Sequence, residues 1–143
     1  MLRKNKGISF YSILLICVIA TMLFLTFQDS AGTVKLSEGI RIWVEQFGIK
    51  TDFHSFRSNA HLVVYFVFGI VLSLFGREHG FKWWIVLLVG AGFGLIDESL
   101  KVLLPTREFE ASDLIRNWIG VSMSILVTQI IQKIKRNRRR TRI

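Results

Sequence analysis

The first hydrophobic run extends from Ile8 to Phe27 and reads ISFYSILLICVIATMLFLTF. It holds 20 residues without a charged side chain. An α-helix of this length, rising about 1.5 Å per residue, matches a bilayer hydrocarbon core of about 30 Å. The run therefore predicts a transmembrane helix. A cleaved signal peptide is the alternative because Arg3, Lys4 and Lys6 precede the run, but the run is long for a signal and no clear A-x-A site follows it.

Three more apolar segments follow, and each is predicted to be a membrane helix. With the first span at residues 8–27, they cover residues 60–76, 82–100 and 114–132. The chain is 51% hydrophobic, and its mean hydropathy of +0.44 is too high for an ordinary soluble domain. The sequence therefore predicts an all-α, polytopic membrane protein with four transmembrane helices in a single domain, residues 1–143.

Positive charge is concentrated at the two ends of the chain. The formal net charge is +9, and the tails at residues 3–6 and 133–143 carry three and seven cations. Because Lys and Arg near span ends favour the cytoplasmic side, both termini are predicted to be cytoplasmic and the number of crossings to be even. A nucleic-acid-binding module would carry its basic face on the ordered core, so no nucleic acid is expected as a partner. Cys17 is the single cysteine and cannot form an internal disulfide.

The segment between the first two spans, which this topology places outside, carries a helical pattern of its own. Apolar side chains recur at helical spacing from Leu36 to Phe47, Trp43 is among them, and Gly48 would end the helix. The opposite face carries Glu38, Arg41 and Glu45 at i,i+3 and i,i+4 spacing. We expect an interfacial helix on the outer leaflet or over the bundle; a lid or a partner surface is the alternative.

Polar residues in the last three spans are predicted to share one depth. His61 lies 16 residues from Arg77, Asp97 lies 15 from Lys82, and Asn117 lies 16 from Lys133. Each is therefore roughly 22 to 24 Å from its cytoplasmic anchor, which is just inside the outer edge of the hydrocarbon core. Snorkelling and helix tilt blur this depth by about one turn. Charged groups facing lipid are costly, so the three helices are expected to turn these side chains inward to a common pocket.

Spacing within each helix adds further residues to the predicted pocket. Pro105 marks a bend that would return Arg107 over its mouth, and small residues at Gly90, Gly94, Gly120 and Ser124 would let the backbones of the third and fourth spans approach. The predicted ligand-binding candidates are His61, Tyr65, Asp97, Glu98, Lys101, Arg107, Asp113, Arg116 and Asn117.

These residues carry a resemblance to a known family. The elements, in order, are His61-x-x-x-Tyr65-x-x-x-Gly69, Gly94-Leu-Ile-Asp97-Glu98, Pro105-Thr-Arg107 and Asp113-x-x-x-Asn117-x-x-Gly120. Together they resemble the VanZ-like family of small bacterial membrane proteins, and the likeness extends over nearly the whole chain. Three positions depart from the family pattern. Lys101 stands where glutamine is usual, Thr106 where glycine is usual, and Ser58 where a basic residue is usual.

The resemblance implies a multi-pass protein of the bacterial cytoplasmic membrane with a role in the cell envelope. The family's namesake is associated with resistance to the glycopeptide teicoplanin, so a contribution to antibiotic resistance is one expectation. Lys101 would neutralise part of the Asp97 and Glu98 carboxylate pair. Membrane lipids are the expected partners, and the sequence does not determine the oligomeric state.

Two functions of different classes fit the residues. The first is a non-enzymatic protein that binds a lipid, a lipid-linked cell-wall intermediate or a glycopeptide, with arginines holding phosphate or carboxylate. The second is a membrane-embedded hydrolase or transferase, in which His61, Asp97 or Glu98 would act as acid and base and Arg107 would stabilise an anion. No nucleophile elbow or metalloprotease motif accompanies them, so the binding protein is favoured.

Two further interpretations of the polar cluster involve no ligand of this kind. His61, Asp97, Glu98 and Asp113 could hold a metal, but their spacing is not diagnostic and nearby cations nearly balance the carboxylates, so no metal and no cofactor are predicted. The cluster could also be an ion-pair network that only holds the helices in register. In that case neutralising its carboxylates would reduce folded yield and function together.

Overall fold

Helices make up nearly all of the described chain. The computed structural model describes residues 9–27, 30–48, 53–105 and 107–140. Its α-helices are α1 (Phe10–Phe27), α2 (Ser30–Glu45), α3 (Phe53–Glu78), α4 (Trp83–Leu100) and α5 (Ala111–Arg140), with a 3-10 turn at Lys101–Leu103 after α4. The predicted spans correspond to α1, α3, α4 and α5, and the predicted helix of the first loop is α2. The all-α prediction is confirmed over these ranges.

Three of these helices are long and apolar enough to cross a membrane. They are α1, the Asn59–Glu78 part of α3, and α5. α4 is as long as α1, at 18 residues, but it carries Asp97 and Glu98 in its last turn and is not among the three. The chain is therefore a helical membrane protein with three candidate spans, and a crossing by α4 stays a prediction.

A glycine turn makes α3 and α4 antiparallel neighbours. Gly80 has a positive φ of 76°, and its N–H donates to the carbonyl of Arg77 at 3.2 Å while the Phe81 N–H donates to Gly76 at 2.7 Å. This pair of bonds is the Schellman ending of a helix, which a Cβ at Gly80 would strain. The Phe81 ring packs edge-on against Phe75, with ring centroids 6.2 Å apart. The chain therefore reverses within a few residues.

Small residues set the close packing of α5, as the sequence predicted. A Cβ added at Gly120 would lie 2.6 Å from a backbone oxygen of α3, and a Cβ at Gly69 would clash with Ser124. Gly90 and Gly94 bring α4 against α5. The contacts of Gly90 and Gly94 are to side chains, whereas Gly69 and Gly120 bring the backbones of α3 and α5 together; α5 accordingly packs more extensively against α3 than against any other described helix.

Apolar side chains fill the interior of the bundle and also cover much of its outer surface. Among the described residues, nine apolar side chains form a core between the helices, with Tyr65, Phe68 and Val121 nearly inaccessible. Many other apolar side chains, such as Leu88 and Leu126, point outward as lipid-facing residues do.

The two ends of the bundle differ in chemistry. What we call the polar end is where α1 and α4 finish and α3 and α5 begin, and it contains the buried Asp97, Glu98, Lys101 and Asp113. What we call the basic end is where α3 finishes with Arg77 and α5 finishes with Arg138, Arg139 and Arg140, and there the Ser9 hydroxyl donates to the Glu78 carboxylate. The polar end and the basic end therefore lie at opposite ends of α3 and α5.

α2 has the charged face that its pattern predicted. Arg41 forms ion pairs with Glu38 and Glu45, and its side-chain hydrogen bond lowers the pKa of the Glu38 carboxyl. Trp43 stacks edge-on against Phe47, with ring centroids 4.9 Å apart. α2 packs against α3, so the prediction of a helix in this loop is confirmed, and its placement at the membrane interface stays a prediction.

Candidate ligand-binding site

Asp97 joins three helices at the polar end. Its carboxylate accepts a hydrogen bond from the Tyr65 hydroxyl of α3 at 2.7 Å and another from the Thr26 hydroxyl of α1. The single proton of the Thr26 hydroxyl is shared with the carbonyl of Met22, which lies one turn back in its own helix at 2.9 Å. Asp97, Tyr65 and Thr26 are all buried. A carboxylate is therefore held by hydroxyl donors where α1, α3 and α4 meet.

Asp113, in the first turn of α5, is the centre of a second group. Its Oδ1 accepts from Arg116 Nη1 at 2.8 Å, and its Oδ2 lies 3.3 Å from His61 Nε2 and 3.5 Å from Lys101 Nζ. Three basic side chains from α3, α5 and the turn after α4 thus surround one carboxylate. This arrangement orients the imidazole of His61 toward an acid, as in acid–base dyads.

Glu98 and Lys101 form a buried ion pair one turn apart. Lys101 Nζ lies 2.6 Å from Glu98 Oε2, and the two side chains are 7% and 0% exposed. The other carboxylate oxygen of Glu98 accepts the backbone N–H of Glu110 at 2.9 Å. That bond ties the segment after Pro105 back to the end of α4. The ion pair therefore positions both the cation and the loop that carries Arg107.

Asn117 lies one turn deeper than this cluster. Its side chain is fully buried, and within the part of the chain that the structure describes neither its amide nitrogen nor its oxygen has a hydrogen-bond partner. It packs beside Gly94, where an added Cβ would lie 3.4 Å from the Asn117 Cβ. A buried amide without a partner is costly, so Asn117 leaves hydrogen-bonding capacity unused beneath the site.

A cavity of about 410 Å³ opens at the polar end between α1, α2 and α3. Its polar lining comprises Thr26, Ser37, Asn59, His61, Tyr65, Asp97, Lys101 and Arg107. Its apolar lining comprises Met22, Leu25, Leu36, Ile40, Ala60, Val63 and Val64. The volume falls in the range of small-molecule sites, and one part of the wall is hydrocarbon while another part carries ionic and hydroxyl groups.

The charges of the cluster are nearly balanced. Asp97, Glu98 and Asp113 supply three carboxylates, and Lys101, Arg107 and Arg116 supply three permanent cations. Only part of this set faces the cavity, and there, among the described residues, two cations stand against one carboxylate. Lys101 is also paired with Glu98 and Asp113 outside the cavity wall, so the wall offers an anionic group hydrogen-bond donors rather than an excess of positive charge.

Five of the nine predicted binding candidates line the cavity. These are His61, Tyr65, Asp97, Lys101 and Arg107, so Arg107 lies in the wall of the pocket to which the bend at Pro105 was expected to return it. The other four, Glu98, Asp113, Arg116 and Asn117, do not line it, although Glu98 and Asp113 contact Lys101. A binding role for any of the nine stays a prediction.

The contacts are offset by about one helical turn from a single shared level, which is within the blurring by tilt and snorkelling that the prediction included. His61, Asp97 and Asn117 were expected at one level, but His61 pairs with Asp113, whereas Asp97 pairs with Tyr65. Asn117 correspondingly lies beside Gly94 rather than beside His61. Counting residues from the cytoplasmic anchors assumes helices perpendicular to the bilayer, and tilt shifts such counts by a turn.

Three polar residues of the cavity, Thr26, Ser37 and Asn59, were not predicted from the sequence. Serine and threonine hydroxyls inside an apolar helix usually donate to a carbonyl of their own helix, so the sequence gave no reason to choose Thr26. Ser37 could have been found because it lies beside Leu36 on the face of α2 that meets the bundle. In the described ranges no group of three or more His, Cys, Asp or Glu side chains is placed to hold a metal ion.

The fold and the site define a class of protein. It is a helical membrane protein with an inward-facing cluster of carboxylate, histidine and arginine side chains at one end. The sequence profile of the VanZ/LLP1 family matches residues 8–132. The chain therefore belongs to the VanZ/LLP1 family, as its motifs predicted. No curated protein and no solved structure was found to match it.

Proposed function

We propose that α1, α3, α4 and α5 all cross the bacterial cytoplasmic membrane, with the basic end inside and the polar end outside. The cations of the α5 tail and Arg77 lie at the same end of the bundle, in agreement with the positive-inside tendency. Trp83 and Trp84 are exposed where α4 begins, as interfacial anchors are. The uncharged part of α4, Trp83 to Ile96, would span about 21 Å, so its polar end would be submerged in the outer leaflet.

Reporter fusions test this topology. Alkaline phosphatase, which is active only outside the cytoplasm, should be active when it is fused after Asp52 and inactive after Ile143. A green fluorescent protein should give the opposite pattern at the same two positions. Phosphatase activity after Ile143, or its absence after Asp52, would overturn the proposed orientation.

We further propose that the cavity binds an amphipathic anion from the outer leaflet. The observation that supports this most is one cavity in which Met22, Leu25 and Val63 offer an apolar wall while Arg107 and Lys101 offer cations. An acyl or prenyl chain would lie along the apolar wall, and a phosphate or carboxylate would accept hydrogen bonds from the cations. Phospholipids, lipid-linked cell-wall intermediates and acylated glycopeptides all have this chemistry.

Family membership gives this proposal a cellular context. If the protein contributes to teicoplanin-type resistance in the cell envelope, deleting its gene should lower the teicoplanin concentration that stops growth. Vancomycin lacks the acyl chain that the apolar wall would hold, so the concentration of vancomycin that stops growth should change less. Equal changes for both drugs would show that the effect of the protein does not depend on recognition of the acyl chain.

Binding is best tested with three probes: phosphatidylglycerol, a polyprenyl phosphate and teicoplanin. Native mass spectrometry of the purified full chain would give the affinity for each. A hydrogen bond to a charged group is worth about 1.5 to 3 kcal/mol, so Arg107→Ala should weaken a probe that uses the site by about 10- to 150-fold.

Lys35→Ala is the matched control for Arg107→Ala. Lys35 is an exposed cation of α2, next to Leu36 of the cavity wall, and it does not line the cavity. Its removal should leave the affinity within about twofold of the wild type, since rim charges outside a site contribute little. Equal affinities of wild type and Arg107→Ala for all three probes would refute the binding proposal.

A membrane-embedded enzyme is the second candidate, and one observation favours it. His61 lines the cavity with its Nε2 atom 3.3 Å from the Asp113 carboxylate, an arrangement that could move a proton to or from a bound headgroup. In this mechanism a hydrolase or transferase would convert a phospholipid or a cell-wall precursor. Conversion by the purified protein that is abolished in His61→Ala and retained in Lys35→Ala would favour the enzyme over the binding protein.

A further inference from the structure

A second, larger groove lies at the basic end, opposite the cavity described above. It has a volume of about 700 Å³ and runs between the end of α3 and the C-terminal half of α5. Among the described residues, its walls carry six cations. They are Arg77, Lys133, Lys135, Arg136, Arg139 and Arg140.

The groove combines apolar and basic wall along one face of α5. Leu126, Gln129, Lys133, Arg136 and Arg140 follow one another at steps of three and four residues, so they form a single stripe on the helix. The stripe begins with an exposed leucine inside the apolar part of α5 and ends in the charged tail. It therefore passes from a surface suited to hydrocarbon to one suited to anions.

Few acidic groups compete for these cations. Glu78 follows Arg77 directly in the sequence, and it accepts the hydroxyl of Ser9. From Leu114 to Ile143 the sequence contains no Asp or Glu, so no carboxylate of α5 beyond its first turn faces the groove. The groove is therefore a strongly positive concavity.

We propose that this groove binds an anionic phospholipid, with its phosphate between Arg77 and the Lys133 and Arg136 pair and its acyl chain along Leu126 and Ile130. In the proposed topology this lipid belongs to the inner leaflet, so the site is separate from the outer cavity. The cations of α5 that line the groove are spread over about 11 Å of helix, from Lys133 to Arg140. That spread suits two phosphates better than one, so a lipid with two phosphates such as cardiolipin should bind more tightly than phosphatidylglycerol.

A lipid fits the groove better than a nucleic acid does. A nucleic acid would contact the cations of the tail but has no hydrocarbon chain to place along Leu126 and Ile130, which lie within the apolar part of α5. A phospholipid places its two chemical halves against the two kinds of wall. The presence of apolar residues in the same concavity is thus the observation that selects the lipid.

Two double variants with the same loss of charge test the proposal. Arg77→Ala with Arg136→Ala removes two cations that line the groove, one from α3 and one from the tail. Lys82→Ala with Arg138→Ala removes one cation near the end of α3 and one from the tail, and neither lines the groove. Native mass spectrometry of the full chain would measure binding of cardiolipin, phosphatidylglycerol, phosphatidylcholine and a short single-stranded DNA.

The expected result is selective loss of cardiolipin binding. The groove variant should bind cardiolipin at least tenfold more weakly than the wild type, the control variant should lose less than threefold, and phosphatidylcholine should bind weakly to all three. Equal losses in the two variants would overturn the site, because the attraction would then depend on charge alone. Tighter binding of the DNA than of cardiolipin, lost in the groove variant, would assign the groove to a different ligand.

Discussion

Replacing Lys101 with methionine should destabilise the protein strongly, because Glu98 would lose its counter-ion inside the bundle. Methionine keeps most of the length and apolar stem of lysine, so the change removes the charge with little loss of packing. In the native chain the two charged atoms are 2.6 Å apart, and the Glu98 side chain is 0% exposed. After the substitution the carboxylate would keep the backbone N–H of Glu110 as its described donor.

The magnitude follows from the cost of an uncompensated buried charge. Removing one partner of a buried ion pair typically costs about 3 to 5 kcal/mol, whereas replacing both partners is often close to neutral. Lys101→Met should therefore lower the free energy of unfolding by about 3 to 5 kcal/mol. The double variant Glu98→Gln, Lys101→Met should recover most of that loss, since no buried charge is left without a partner.

Reversible unfolding in mixed micelles of a mild detergent and dodecyl sulfate would measure these free energies, with far-ultraviolet circular dichroism as the signal. The wild type, both single variants and the double variant complete a thermodynamic cycle. We expect a coupling free energy of about 2 to 4 kcal/mol between the two residues. Additive effects, or a Lys101→Met variant as stable as the wild type, would show that Glu98 does not depend on Lys101 as its buried counter-ion.

Two further substitutions test the packing and the hydrogen bonds of the site by the same assay. Gly120→Ala should lower the free energy of unfolding by about 1 to 3 kcal/mol because its Cβ meets the backbone of α3. Gly92→Ala, whose Cβ would have no atom within 4 Å, should not destabilise the protein. Equal effects of the two substitutions would contradict the close packing at Gly120. Thr26→Val should cost about 1.5 to 3 kcal/mol because a buried carboxylate loses a donor. Thr21→Val removes an exposed hydroxyl of the same helix, which donates only to the Cys17 carbonyl among the described contacts, and should cost no more than about 0.5 kcal/mol; a Thr26→Val effect as small as this would refute the role assigned to Thr26.

The helices were largely predictable because their lengths follow from elementary constraints. Hydrocarbon thickness and apolar runs predicted α1 and the apolar parts of α3 and α5, and Gly48 and the turn after α3 end their helices as glycine chemistry requires. Two bounds were missed. α3 begins at Phe53 and α5 continues to Arg140, because helices that leave the bilayer keep their internal hydrogen bonds in water and no proline or glycine interrupts them there.

The membership of the site was more predictable than its register. The cost of polar groups in hydrocarbon was enough to bring His61, Tyr65, Asp97 and Lys101 together at one end. Which carboxylate meets the histidine depends on helix tilt and on how closely the glycines let α5 approach α3, and residue counting contains neither quantity. The sequence accordingly predicted Asn117 at the level that Asp113 occupies.

The contribution of α2 to the cavity depends on tertiary packing. Its amphipathic pattern predicted a helix, but the pattern fits a helix on the bilayer surface equally well. The structure places Leu36, Ser37 and Ile40 against the cavity, so α2 forms one of its walls. The contact with α3 distinguishes this arrangement from a helix that lies apart on the leaflet.

In the proposed topology the cavity at the polar end opens to the outside of the cell. Asn59 is exposed and lines the cavity, and His79 is exposed at the opposite end of α3. In a Cys17→Ser background, a membrane-impermeant maleimide should label Asn59→Cys in intact cells, and it should label His79→Cys only after the membrane is permeabilised. Labelling of His79→Cys in intact cells with Asn59→Cys protected would contradict the account.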